Sequence, residues 1–143
     1  MRISNNDTRK EHELPLYGNV ETDIDYTIED NDTHVDTSYL EDLDLEDLDI
    51  FYSTYEELDE QDIATLVMLL DEGGHSEVLR AIDCIGTVQV IGKMTEVEYT
   101  IDSFNPEDSK ELDRLRPYID WDRLARDTCM DMTEYCGCLY IIQ

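Results

Sequence analysis

Carboxylates are the residues with the most chemistry to offer in this 143-residue chain: 37 Asp and Glu stand against 10 Lys and Arg. Paired carboxylates can do general acid–base work, but among so many acids pairs arise everywhere and none marks a site. Calcium is the next possibility. Asp42-Leu-Asp44-Leu-Glu46-Asp47 begins like an EF-hand loop, yet its sixth position is Asp47 instead of Gly and its twelfth is Ser53 instead of Glu. The four cysteines, Cys84, Cys129, Cys136 and Cys138, lack a Cys-x2-Cys knuckle. On a strand, Cys136 and Cys138 would point the same way and allow a partial zinc site, but buried free thiols are the favoured reading. His12, His34 and His75 are scattered, with no Ser/His/Asp or Cys/His pattern and no Gly-rich phosphate loop. The expectation is a protein that is not an enzyme and takes no metal and no cofactor.

The acids act together, as a field. From Glu11 to Leu79 there is no Lys or Arg, and the stretch holds 23 of the 37 acidic residues. The formal net charge is −27, of which residues 11–79 carry −23, residues 80–143 carry −6 and residues 1–10 carry +2. Self-repulsion on this scale destabilises a compact chain, so the charge should have a use. Nucleic acid is excluded as a ligand, because phosphate binding needs clustered Lys and Arg. Anionic membrane surfaces are excluded on the same ground. The partner should be basic. The alternative is a merely solvated, solubilising face, but the bias over residues 11–79 is too strong for it.

The candidate surface is made of Glu21, Asp23, Asp25, Glu29 and Asp30, then Asp32 and Asp36, then Glu41, Asp42, Asp44, Glu46, Asp47 and Asp49. Glu56, Glu57, Asp59, Glu60, Asp62, Asp71 and Glu72 complete it. Nine tyrosines, two phenylalanines and one tryptophan argue for a folded surface over a disordered acidic tail. No apolar stretch follows Arg2 as in a secretory leader, and no apolar run reaches transmembrane length. The cytoplasm, here of a bacterial host, is the expected compartment.

Periodicity predicts the elements that hold these acids. The first dozen residues are polar and carry no pattern. Val20, Thr22, Ile24, Tyr26 and Ile28 alternate with Glu21, Asp23, Asp25, Thr27 and Glu29, which predicts a half-buried strand. A polar loop over 30–37, a short helix over 38–47 and a strand over 48–53 follow. Thr54-Tyr-Glu-Glu57 reads as a capping box, and Asp59-Glu-Gln-Asp62 as a restart. Ile63, Leu66, Val67 and Leu70 form a helical stripe that Gly73-Gly74 stops, and Ser76 should cap a second helix carrying Val78, Leu79 and Ile82. Thr87–Ile91 and Glu96–Ile101 predict a hairpin. Asn105-Pro106 should open a helix ending before Pro117. Asp120 should cap a helix over Trp121–Asp127 and Cys138–Ile142 should form a closing strand, with Tyr118, Trp121 and Leu124 as core or dimer contacts.

The run Tyr118-Ile-Asp-Trp-Asp-Arg-Leu-Ala-Arg-Asp127, followed by the strand Gly137-Cys-Leu-Tyr-Ile-Ile142, resembles the C-terminal signature of the ArdA antirestriction family. Glu57-Leu-Asp-Glu-Gln-Asp62, continuing through Leu69-Leu-Asp-Glu-Gly-Gly74 to Ser76, is similar to that family's central segment. The resemblance spans roughly residues 54–143. It implies a small DNA mimic of mobile genetic elements and phage, an elongated array of mixed subdomains that often dimerises and occupies the DNA-binding groove of a type I restriction–modification enzyme. Charge counting agrees. Duplex DNA carries roughly one charge per 1.7 Å of axis, so 23 carboxylates match about 11–12 base pairs, on the order of 40 Å.

The expected fold is α/β of the α+β type, with short antiparallel sheets and short helices. Its expected divisions are an acidic subdomain over 1–53, a helix pair with a hairpin over 54–103, and a helix–strand subdomain over 104–143. The expected function is antirestriction, with a homodimer possible. Two alternatives remain: a DNA mimic against another DNA-binding system (a CRISPR effector or a nucleoid protein), and an acidic scaffold or antitoxin-like binder of one basic protein.

Overall fold

Residues 1–18, 20–103 and 114–142 are described in the computed structural model. The polar opening residues hide the centre of a sheet. Strand β1 (Arg2–Asn5) lies between β2 (Glu11–Glu13) and β3 (Tyr26–Asp30), antiparallel to both, and its Ile3 is fully buried. One inward apolar side chain in four residues is too little for alternation to show.

The strand expected from Val20 begins only at Tyr26. Its partner limits it: β1 ends at Asn5, opposite Tyr26, and the chain turns there as the Asn5 carboxamide accepts from the amides of Asp7 and Thr8 at 2.9 and 3.2 Å. The alternation still governs side-chain placement, since Glu21, Asp23, Asp25, Thr27 and Glu29 are exposed and the residues between them half-buried.

The largest correction concerns residues 38–53. A single turn of 3-10 helix (Thr37–Tyr39) comes first, and α1 (Leu45–Glu56) then runs through the expected strand over 48–53. Asp44 sets its start by accepting from the Asp47 amide at 2.8 Å. Leu45, Leu48, Phe51, Tyr52 and Tyr55 are buried at helical spacing, so packing overrides the β-propensity of Ile50, Phe51 and Tyr52. Thr54 therefore lies inside a helix, donating to the Ile50 carbonyl at 2.9 Å, and the expected capping box with Glu57 does not form.

The restart at Asp59 is as expected. Its carboxylate accepts from the Asp62 amide at 2.8 Å and begins α2 (Glu60–Asp71). Gly73-Gly74 stops α2: the Gly73 amide reaches the Met68 carbonyl at 3.0 Å, the His75 amide reaches the Leu69 carbonyl at 3.2 Å, and Gly74 has φ +77°. A Cβ at Gly73 would sit 2.8 Å from the Leu69 backbone, so that position has no room for a side chain. Helix α3 (Val78–Cys84) packs against α1 and α2; its N-cap residue is Glu77, not Ser76, and no side chain caps it.

After β4 (Val88–Gly92) the expected hairpin partner is helix α4 (Glu96–Ser103). A capping box decides this. The Glu98 amide donates to Thr95 Oγ1 and the Thr95 amide donates to Glu98 Oε2, both at 3.1 Å. Strand β4 pairs instead with β6 (Cys138–Ile142), which is also paired with β5 (Met132–Tyr135), giving the order β4-β6-β5. Strand β5 lies between the expected helix and the expected closing strand, where no element was predicted. Asp120 accepts from the Arg123 amide at 3.2 Å and caps α5 (Trp121–Thr128), as expected. The helix expected from Asn105 falls within 104–113, outside the described residues. A 3-10 turn over Arg116–Tyr118 contains Pro117.

Among the described residues there are five α-helices and two three-stranded antiparallel sheets, a mixed α+β fold. The chain divides into two compact units, Met1–Ile85 and Gly86–Gln143. The expected boundary at 53/54 falls inside α1. Ile3, Leu40, Leu45, Leu48, Phe51, Leu66, Met68 and Leu69 fill the N-terminal unit's core, while Leu139, Tyr140, Ala125, Thr100 and Cys129 are buried in the C-terminal unit.

Thr95→Ala should lower the stability of the C-terminal unit by about 1 kcal/mol, as loss of a helix cap does. Thr54→Ala should be nearly neutral, because the hydroxyl caps nothing and Ala is the better helix former. Urea denaturation of the two variants checks both; a larger loss from Thr54→Ala would contradict the helix assignment.

Candidate interaction surface

All twenty candidate carboxylates lie in the N-terminal unit, and none is buried: Asp47, Asp49 and Asp62 are half-buried and the other seventeen are exposed. Glu21, Asp23 and Asp25 precede β3, and Glu29 and Asp30 lie on it. Asp32, Asp36, Glu41 and Asp42 belong to the connection that leads to α1, and Asp44 is that helix's cap. Glu46, Asp47, Asp49 and Glu56 lie on α1, Glu57 and Asp59 join it to α2, and Glu60, Asp62, Asp71 and Glu72 lie on or just past α2.

The stretch that carries this surface, Glu11 to Leu79, holds no Lys or Arg of its own. Among the described residues Asp32 is ion-paired, its Oδ1 lying 3.0 Å from the amino group of Met1. Arg2 and Arg80 reach Glu11 and Glu77, which are outside the set. Neutral donors fix the acids instead. Backbone amides hold Asp36, Asp44 and Asp59, and Asp49 Oδ1 accepts from the Leu16 amide at 2.8 Å. Hydroxyls hold three more: Ser4 donates to Glu29 at 2.6 Å, Tyr52 to Asp32 at 2.9 Å and Tyr39 to Asp71 at 3.3 Å.

Tyrosines also tie the acidic connections to the helices, a role periodicity did not reveal. Tyr26 donates to the Leu43 carbonyl, which pins the acidic turn before α1 to β3. Tyr39 donates to the Leu70 carbonyl at 3.1 Å, and the His34 amide donates to Tyr55 Oη at 3.0 Å. Phe51 and Tyr55 stack with tilted rings 5.8 Å apart. The available signal was the placing of tyrosines among acids where no lysine or arginine could serve.

The surrounding charge registers on these groups. Burial, with Asp44 and Asp42 adding to it, pushes the Tyr26 phenol up to about 12. Burial and then Asp32 and Glu56 push Tyr52 up as well, and burial and Asp71 do the same for Tyr39. Burial works against the Asp32 carboxylate, but hydrogen bonds from the amino terminus and Tyr52 outweigh it and hold its pKa below the ordinary value. The Ser38 amide and hydroxyl hold Asp36 low.

The cysteines are arranged differently from the expectation. Cys129 is buried, 3.7 Å from Thr100 Oγ1, whereas Cys84 and Cys138 are half-buried and Cys136 is exposed. Cys136 and Gly137, with φ of +49° and +77°, form the two-residue type I′ turn between β5 and β6, so Cys136 does not share a strand face with Cys138. Among the described residues no group of three or more His, Cys, Asp and Glu is placed to hold a metal ion. No described helix is long and apolar enough to cross a membrane. Tyr118 is 85% exposed instead of core, and Trp121 and Leu124 are half-buried.

A phenol whose folded-state pKa is raised stabilises the fold fully below its unfolded value and loses that contribution as pH rises to the folded value. Tyr26, and Tyr140 (pushed up to about 12 by burial and then Cys138), have an ordinary value of 10.0. Stability should therefore fall as pH rises from 10.0 to about 12. Tyr26→Phe should flatten that loss in the N-terminal unit; denaturant titrations across this range check it, and an unchanged slope would contradict the assignment. Searches for similar proteins leave the chain's family open: no protein-family model, curated protein or solved structure matches it.

Proposed function

We propose that this protein is a stoichiometric inhibitor in the bacterial cytoplasm. It presents a surrogate of duplex DNA to the basic DNA-binding groove of a type I restriction–modification enzyme. One observation carries the reading: twenty carboxylates on one compact unit, none buried, in a stretch from Glu11 to Leu79 that holds no Lys or Arg. The resemblance of residues 54–143 to the antirestriction family supports the choice of target.

The mechanism is competition. Basic side chains that grip phosphates meet carboxylates already fixed on β3, α1 and α2, so less ordering entropy is lost than with a flexible acidic tail. Charge complementarity steers the encounter and makes association fast and salt-sensitive. The purified protein should block DNA binding by a type I enzyme, and duplex DNA should displace it from the complex. A complex indifferent to added duplex would sink mimicry and favour an acidic binder of one basic protein.

Position should matter as well as number. Glu21, Asp23, Asp25 and Asp30 are exposed and, among the described residues, their carboxylates hold no other group. Reversing these four to Lys should weaken inhibition about 100-fold, from exposed pairs worth roughly 0.5–1 kcal/mol each. Reversing Asp122, Asp127, Asp131 and Glu134 in the C-terminal unit should have a much smaller effect. Equal losses in a DNA-cleavage protection assay would mean that the charge acts diffusely.

A further inference from the structure

The acidic surface is interrupted by two large apolar side chains that do nothing for the core. Tyr17 is 84% exposed and Ile50 is 49% exposed. Their segments are tied together, because the Leu16 amide, one residue before Tyr17, donates at 2.8 Å to the side-chain Oδ1 of Asp49, one residue before Ile50. Asp49 thus spends a half-buried carboxylate on holding the Tyr17 segment against α1. Ile50 lies on the outward stripe of α1 that runs Glu46, Ile50, Ser53 and on to Glu57, all exposed and spaced at helical intervals. Among the described residues the Tyr17 hydroxyl has no hydrogen-bond partner. Scattered surface apolar residues are ordinary. Two exposed apolar side chains on segments tied together, within a stretch rich in carboxylates, suit an interface anchor, where apolar contacts sit within a polar rim.

We propose that Tyr17 and Ile50 anchor the acidic surface by entering an apolar recess in the floor of a basic, duplex-binding protein groove. This rests on the reading above. Charge complementarity names the partner: Glu46 and Glu57, exposed on the stripe that carries Ile50, and the other acids of the 11–79 stretch require a basic rim. Grooves that read duplex DNA place apolar side chains against thymine methyls as well as cations against phosphates, so one such groove meets both parts of this surface. The two parts do different work. Carboxylates act chiefly on the association rate, each exposed pair adding a modest share of affinity. A desolvated aromatic and its aliphatic neighbour slow dissociation, and a tyrosine does so with few torsions to freeze.

The test is surface plasmon resonance of wild type, Tyr17→Ser, Ile50→Ser and the double variant against three immobilised probes: a type I restriction–modification enzyme, a nucleoid protein and an RNA-guided nuclease. Each is run at several salt concentrations. Both side chains are exposed, so the variants should melt with wild type. The double variant should dissociate about ten-fold faster or more, with the association rate and its salt dependence unchanged. Unaltered dissociation, or a loss confined to association, overturns the anchor and leaves mimicry standing. Wild type bound by the nucleoid protein or the nuclease, but not by the restriction enzyme, overturns the choice of target while the anchor is still measured. Wild type bound by none of the three overturns both.

Discussion

Between Glu11 and Leu79 no lysine or arginine exists to neutralise a carboxylate, and the N-terminal unit is built around that constraint. Like charges on adjoining elements repel, so the elements must be held by forces other than ion pairs. Apolar burial supplies the bulk of it, through Leu45, Leu48 and Phe51 of α1 and Leu66, Met68 and Leu69 of α2. Neutral donors supply the rest. Backbone amides at Asp44 and Asp59 convert acids into helix caps, where the helix dipole also favours negative charge. Tyrosine hydroxyls fasten the connecting segments from inside, where a lysine would have cancelled the field it was holding in place.

The acids thereby fall into two groups. Asp32, Asp36, Asp44, Asp49 and Asp59 accept hydrogen bonds that shape the chain. Glu21, Asp23, Asp25 and Asp30 hold nothing among the described residues and are pure field. Charge on the first group is inseparable from folding; charge on the second is available to change without touching a structural bond. A surface of this kind can be retuned in strength and pattern while its scaffold stays as it is.

Much of this was readable from residue order, and the failures have physical causes. Asp59, Gly73-Gly74 and Asp120 act locally, through their own neighbours' amides and carbonyls, so their helices lie where expected. The outward set of Glu21, Asp23, Asp25 and Glu29 was equally plain, since alternation fixes side-chain direction whether or not a strand partner is present. The misread segments depended on distant partners. Residues 48–53 have strand-forming composition and became helix because their apolar residues are buried at helical spacing and α1 packs on α3. Glu96–Ile101 has the alternation of a strand, yet the capping box at Thr95 and Glu98 prevailed and β4 found its partner some fifty residues later (from Val88 to Cys138–Ile142). Which acids serve the fold was hidden for the same reason: Asp49 with Leu16, and Asp32 with Tyr52, are tertiary pairings.

Strand β6 has a consequence for biosynthesis. It is the middle strand of its sheet, hydrogen-bonded to β4 on one side and β5 on the other. As the chain leaves the ribosome, β4 emerges well before its partner and waits with unpaired backbone groups until Cys138–Ile142 appears. The N-terminal unit faces no such delay, because its central strand β1 comes first and β2 and β3 join it in order. The acidic unit can therefore be complete while the rest of the chain is still being made, and its charge would keep nascent copies on one polysome apart.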